Sequence, residues 1–146
     1  MSDPFIVPEE DSAAEAIEAI RDELELFDDW MQRYRYLIDL GEKLPEFPIE
    51  WQTDQFRVVG CQSQVWLNFC EKDGKLFFAG SSDAVIVKGL IALLLRIYSG
   101  RDAVEIVRVD PIFITDLGLA GALSANRSNG VASMVKAIQT ISQNYL

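Results

Sequence analysis

Between Ala84 and Tyr98 the chain reads Ala-Val-Ile-Val-Lys-Gly-Leu-Ile-Ala-Leu-Leu-Leu-Arg-Ile-Tyr, and Lys88 and Arg96 are its only charged residues. A helix of that composition is apolar nearly all round, so other elements or lipid must enclose it. The run from Ala84 to Leu95, interrupted by Lys88, falls short of the roughly 20 residues that span a bilayer. What remains is the central helix of a globular domain, with Lys88 expected to snorkel to the surface. A chain of 146 residues, 49% of them hydrophobic, is long enough to build that enclosure as one domain.

The enclosing elements are legible on both sides of it. Residues 1–11 carry two prolines and a cluster of acids and read as a flexible extension, leaving 12–146 as the domain. From Ser12, Ile17, Ile20, Leu24 and Phe27 recur at helical spacing, and Ser12 with Glu15 forms a capping box. Asp28 is expected to cap a second helix bearing Met31, Tyr34, Leu37, Ile38 and Leu44, which Pro45 and Pro48 end. Trp30, Tyr34 and Tyr36, at helical spacing, read as core aromatics. Phe56–Val59, Gln64–Cys70 and Leu76–Ala79 read as strands. The last two are joined by the turn Glu71-Lys72-Asp73-Gly74-Lys75, giving about three antiparallel strands. Ser82 or Asp83 is expected to cap the central helix. Asp102 then caps a short helix through Val107, and Asp110-Pro111 opens another through Leu117. The polar run Ser124 to Gly130 leads into a final amphipathic helix with Val131, Met134, Val135, Ile138, Ile141 and Tyr145 on one side. The order predicts an α+β domain, several helices packed on a small antiparallel sheet.

Chemistry concentrates at Gly60-Cys61-Gln62-Ser63, which interrupts two apolar runs and places Cys61 on a loop between strands, after a residue that tolerates any backbone angle. From this segment alone Cys61 reads equally well as a reactive thiol or as a small buried hydrophobe. Cys70, the second of two cysteines, ends a strand and reads as structural. The nine-residue interval between them, largely extended, sets them roughly 20–30 Å apart, too far for a disulfide. The chain has no histidine, which removes Ser-His-Asp and Cys-His catalysis within this polypeptide and any four-ligand Cys/His zinc site. Carboxylate-only metal sites stay open with so many acidic residues, but no Asp-x-Asp-x-Asp-Gly loop is present, and neither cofactor nor metal is expected. A net charge of −10 argues against nucleic acid and anionic membranes as partners. The acidic start of the chain lacks the features of a secretory signal, so the expected location is cytoplasmic.

Three stretches then resemble one family. Gly60-Cys61-Gln62-Ser63-Gln64-Val65-Trp66-Leu67 is similar to the cysteine motif of the SufE sulfur acceptors. Ser82-Asp83-Ala84 with Ile86-Val87-Lys88-Gly89-Leu90 is similar to that family's central helix, and Leu123-Ser124 with Arg127-Ser128-Asn129-Gly130 to its C-terminal motif. With Leu40-Gly41 and Leu44-Pro45, the likeness covers roughly residues 28–146. The chain departs from the pattern at Ala125, where proline is common, and at Phe56, where asparagine is. The resemblance implies a SufE/IscU-like fold and a protein that is not itself an enzyme. Such a protein takes persulfide sulfur from a pyridoxal-phosphate cysteine desulfurase (SufS-like), stimulates that desulfurase, and passes sulfur to an iron–sulfur scaffold complex. By position in the motifs, Cys61 is the implied acceptor, with Arg127 supporting its thiolate and Asp83 in a supporting role. Two alternatives stand beside it: an interaction protein in which Cys61 is inert packing, and a thiol redox enzyme that works without histidine.

Overall fold

The computed structural model describes residues 3–61, 63–118 and 125–146, with the backbone alone for 125–129. Among these residues are six α-helices and a three-stranded antiparallel sheet in the order β1-β2-β3. The apolar stretch forms helix α3, Val85–Tyr98, and Ile91, Leu94, Leu95, Ile97 and Tyr98 on it are wholly buried. Burial on nearly every side follows from its neighbours. The sheet packs on one face, α1 (Ala13–Glu25) and α2 (Trp30–Glu42) on others, and α6 (Ala125–Gln143) closes the remainder. The tightest approach is to α2. A Cβ on Gly89 would stand 2.1 Å from the Leu37 carbonyl oxygen, so only glycine lets the two backbones come this close.

Local rules explain the ends of these elements. The Ser12 hydroxyl accepts from Glu15 N–H at 3.1 Å, and Ala13, Ala16, Ile20 and Leu24 give α1 its buried stripe. On α2 the cap falls one residue later than the sequence suggests: Asp29 accepts from Gln32 N–H at 2.8 Å, while the Asp28 N–H donates to the Gln32 side chain. Trp30, expected in the core, is 43% exposed at the first position of α2, with the Arg33 guanidinium 4.8 Å from its ring. The hairpin of β1 (Val65–Lys72) and β2 (Lys75–Ser82) turns at Asp73-Gly74, both with positive φ, the geometry that matches strand twist.

The third strand is not the expected one. β3 is Arg101–Asp102, pairing with Leu76 and Lys75 on the far side of β2. The Phe56–Val59 run instead begins as the end of a 3₁₀ turn, Asp54–Phe56, and touches β1 through a single bridge, Arg57 to Trp66. The chain leaves the 3₁₀ turn at Phe56 and turns again at Val59-Gly60, so too few residues lie between to hold a ladder. Helix α4 (Ala103–Arg108) is capped as expected, with Asp102 accepting from Glu105 N–H at 2.8 Å. The next helix, α5 (Phe113–Asp116), starts two residues after Pro111, and α6 starts at Ala125, inside the run read as polar loop. The stretch ahead of α1 makes contacts that its composition does not suggest. Ile6 N–H donates to the Phe78 carbonyl at 2.9 Å, and the Glu10 carboxylate takes both Arg96 Nε and Nη2, at 3.1 and 2.7 Å.

Candidate functional site

Two glycines bring the Cys61 loop and α6 together. Gly60 has φ of +96°, and a Cβ on it would lie 2.6 Å from Ser133 Oγ, so both backbone angle and space demand glycine. Next in the chain, the half-buried Cys61 thiol donates to the Gly130 carbonyl at a sulfur-to-oxygen distance of 3.6 Å. Helix α6 serves two surfaces at once. Val131, Met134, Val135 and Ile138 face the core, and Gly130 and Ser133 meet the loop.

The electrostatics of the thiol are a contest that burial leads. Loss of water pushes the Cys61 pKa up, and the positive charge of Arg57 pulls the other way. At neutral pH the resting group is therefore a thiol, with a cation near enough to favour the thiolate if water or a partner reaches it. The side chains that flank the loop are unevenly exposed. Of the apolar residues on either side of it, Val58, Val65, Trp66 and Leu67 are buried and Val59 is 90% exposed. Cys61 packs against the core cluster that holds Val58 and Val65, and α6 meets it at Gly130, where a Cβ would stand 3.7 Å from the sulfur.

Asp83 stands at the exit of the loop and not against the sulfur. Its carboxylate accepts from Gln64 N–H at 3.1 Å, its own N–H donates to the Gln64 carbonyl at 3.3 Å, and Ser82 Oγ donates to that same carbonyl at 2.6 Å. These bonds pin Gln64, three residues past Cys61, to the end of β2. Neither side chain caps α3 as the sequence suggests. The N-cap is Ala84, whose N–H donates to Ser82 Oγ at 3.1 Å. A strand that continues to Ser82 leaves Asp83 committed to Gln64. The side chain of Arg127 lies outside the described residues. Sequence reasoning named neither Arg57 nor Ser133, and gave Gly130 only as part of a motif, without its contact to Cys61. Arg57 was detectable as the cation nearest Cys61 in the chain, whereas the other two depend on where α6 begins.

No metal centre competes for this role among the described residues, where no group of three or more histidine, cysteine or acidic side chains converges. Both cysteines are free thiols. Cys70 is half-buried on β1 opposite Phe77, its pKa raised by burial and then by Asp3. No helix among the described residues is long and apolar enough to cross a membrane.

Comparison with known proteins bears on the same region. Residues 18–142 match the SufE family model, described as an iron–sulfur metabolism associated domain. An uncharacterised SufE-like protein of Rhizobium meliloti is 43% identical over 130 residues, covering 86% of this chain and 93% of that one. The sulfur acceptor protein CsdE of Escherichia coli is 37% identical over 123 residues, covering 83% and 84% respectively. In three dimensions the chain is similar to a hypothetical protein of Thermus thermophilus known as a solution structure. The TM-score is 0.72 at 20% identity, with 96% of this chain and 98% of that one covered, which shows a shared fold.

Proposed function

The chain belongs to the SufE family, and on that premise we propose that it is a sulfur acceptor in iron–sulfur metabolism, with Cys61 as the accepting group and a cysteine desulfurase as the donor. The reading places it in the cytoplasm and gives it no catalytic cycle of its own. Its carrying observation is the state of Cys61: a thiol on a loop pinned at Gly60 and Gln64, half-covered by α6, with burial keeping it protonated and Arg57 favouring the thiolate.

The transfer balances without oxidant or reductant. The Cys61 thiolate attacks the outer sulfur of the donor's persulfide. A sulfur–sulfur bond forms at Cys61 as the donor's own sulfur–sulfur bond breaks, and the donor thiolate leaves and takes up the proton that Cys61 lost. One persulfide and one thiol are consumed, and one of each is formed. No general base is required if the thiolate is generated on contact, which suits a chain without histidine. Between transfers, the cover of α6 would shield a bound sulfane sulfur from thiols and oxidants. Asp83 supports the loop through Gln64, and Arg127 is a second candidate cation for the thiolate.

Intact-mass measurement after incubation with a cysteine desulfurase and cysteine tests the reading. One added sulfur is expected on the wild type and on Cys70→Ser, none on Cys61→Ser, and desulfurase turnover should rise only with the proteins that gain it. A wild type that gains no sulfur would return Cys61 to inert packing and the chain to an interaction protein.

A further inference from the structure

Beside the Cys61 loop runs an open groove of about 710 Å³, within the range that admits a sizeable ligand. Its walls are the 55–59 segment and the outer face of α6 (Lys136, Thr140), and its floor is β1 at Leu67 and Phe69 with Ala137 and Ile141. Two features set it apart. None of its lining residues is acidic, although the chain holds 23 acidic residues against 13 basic ones, and its two cations, Arg57 and Lys136, form no ion pair among the described residues. It also runs along an open sheet edge. β1 is the first strand of the order β1-β2-β3, and the backbone pairing seen on its outer side among the described residues is the Val58 N–H to the Val65 carbonyl at 2.8 Å and the bridge of Arg57 with Trp66. Further along, the Phe69 N–H is satisfied by the Asn68 side chain at 2.8 Å instead of by a neighbouring strand.

We propose that this groove is the docking site for an extended, carboxylate-bearing segment of the sulfur-donating desulfurase, which lies along β1 beyond Arg57–Val58 and sets a carboxylate between Arg57 and Lys136. The proposal rests on the donor assigned above. An unpaired edge is a ready template for one more strand, with main-chain bonds providing affinity and side-chain pockets providing selectivity. The 57–58 segment already makes that kind of pairing on a small scale. Unpaired cations in an acid-free groove, on a protein of net charge −10, supply the sign of the partner. A helix would satisfy the charges but leave the strand edge unused, so the extended form is the better fit. Val58 and Val59 belong both to the groove wall and to the approach to Cys61, so a docked segment would press on the base of the reactive loop.

The test uses the full chain with purified pyridoxal-phosphate cysteine desulfurase as the probe. Two variants alter exposed groove residues: Lys136→Glu reverses a charge and Thr140→Trp fills the groove. Each is first checked by thermal unfolding. Expected are a desulfurase Kd weakened roughly tenfold or more by either variant, and a wild-type Kd that weakens with salt more steeply than that of Lys136→Glu. In a parallel arm, Cys61 takes sulfur from cysteine persulfide as a small-molecule donor, a reaction needing no docking, and the variants should match the wild type. Kd values within about twofold of wild type in both folded variants, or no binding of desulfurase by the wild type, would overturn the proposal. Loss of the small-molecule reaction alone would overturn the role of Cys61 and leave the docking groove standing.

Discussion

The two ends of this molecule treat charge in opposite ways. At the end where the N-terminal segment meets α1 and α3, Arg96 is gripped by two carboxylates, Glu10 and Glu23, at 2.7 and 2.8 Å, and Tyr36 donates to Glu23 at 2.6 Å. Arg101 beside them gives three bonds to the backbone carbonyls of Ile97, Glu10 and Arg96. Hydrogen bonds from Arg96 hold both carboxyl groups below the usual range despite burial, and burial with the Glu23 bond raises the Tyr36 phenol. At the Cys61 end, Arg57 and Lys136 are unpaired among the described residues, and the thiol has one long bond to a helix carbonyl. Satisfied networks hold an architecture in place, whereas groups left short of partners remain available for a second molecule. The first end spends its charges on the fold, and the second leaves them open, as the proposed docking requires.

The sharpest way to break that contrast is Arg96→Ala. Removing the guanidinium leaves two partly buried carboxylates facing each other. The expected loss is about 2–3 kcal/mol, less than for a fully buried pair because Arg96 keeps 24% of its surface in water. A Tm lower by roughly 6–9 °C follows for a domain of this size, with sulfur uptake on Cys61 unchanged in the folded fraction. The acid limb should report the same network. Because the folded pKa values of Glu10 and Glu23 lie below the ordinary 4.5, their contribution is fully present above that value and is lost as pH falls through the folded values. Urea unfolding at pH 6 and pH 4 should therefore show a drop for the wild type and a smaller one for Arg96→Ala. Equal drops would mean that the cluster is ornamental.

At the other end the largest effect should come from Gly60→Ala. An alanine at φ of +96° with its Cβ against Ser133 Oγ costs about 1–2 kcal/mol if the loop stays, so the loop is expected to lift from α6 instead. The readout is alkylation of Cys61 in a Cys70→Ser background, faster in Gly60→Ala and partly restored by adding Ser133→Ala. Unchanged alkylation would show that Gly60 does not hold the thiol against the helix.

What was legible in the chain divides along the same line. The buried helix, the caps at Ser12 and Asp102, and the hairpin turning at Asp73-Gly74 all follow from contacts within a few residues, and patterning and turn chemistry report those well. The apolar pattern broken at a glycine put Cys61 on a loop, where the segment alone left a reactive thiol and inert packing equally open. The rest of the site is built across long separations: Gly130 on Cys61, Ser133 on Gly60, and Asp83 on Gln64. No local period encodes such pairings. A two-residue strand such as Arg101–Asp102 has no periodicity to read, and Phe56–Val59, strand-like in composition, pairs with β1 at one bridge. The start of α6 at Ala125 was hidden by asparagine, serine and glycine, which favour loops on propensity and are carried here into a helix whose core stripe begins at Val131.

The smallest expected effect sharpens the comparison most finely, because it asks whether one exposed cation matters to a half-buried thiol. Burial raises the Cys61 pKa and Arg57 opposes that rise, so the pH at which alkylation reaches half its maximum should lie above that of a free cysteine in the wild type. It should move higher still in Arg57→Ala and stay near wild type in Arg57→Lys, which keeps the charge. The linkage has a definite sign: with the folded pKa above the unfolded one, the fold favours the protonated thiol. Stability is therefore lost as pH rises from the ordinary thiol range towards the folded value, over a wider window in Arg57→Ala. Added salt should shrink the difference between wild type and Arg57→Ala, since Arg57 is exposed to solvent. A midpoint in Arg57→Ala equal to or below that of the wild type would remove Arg57 from the thiol's environment and leave Cys61 governed by burial alone.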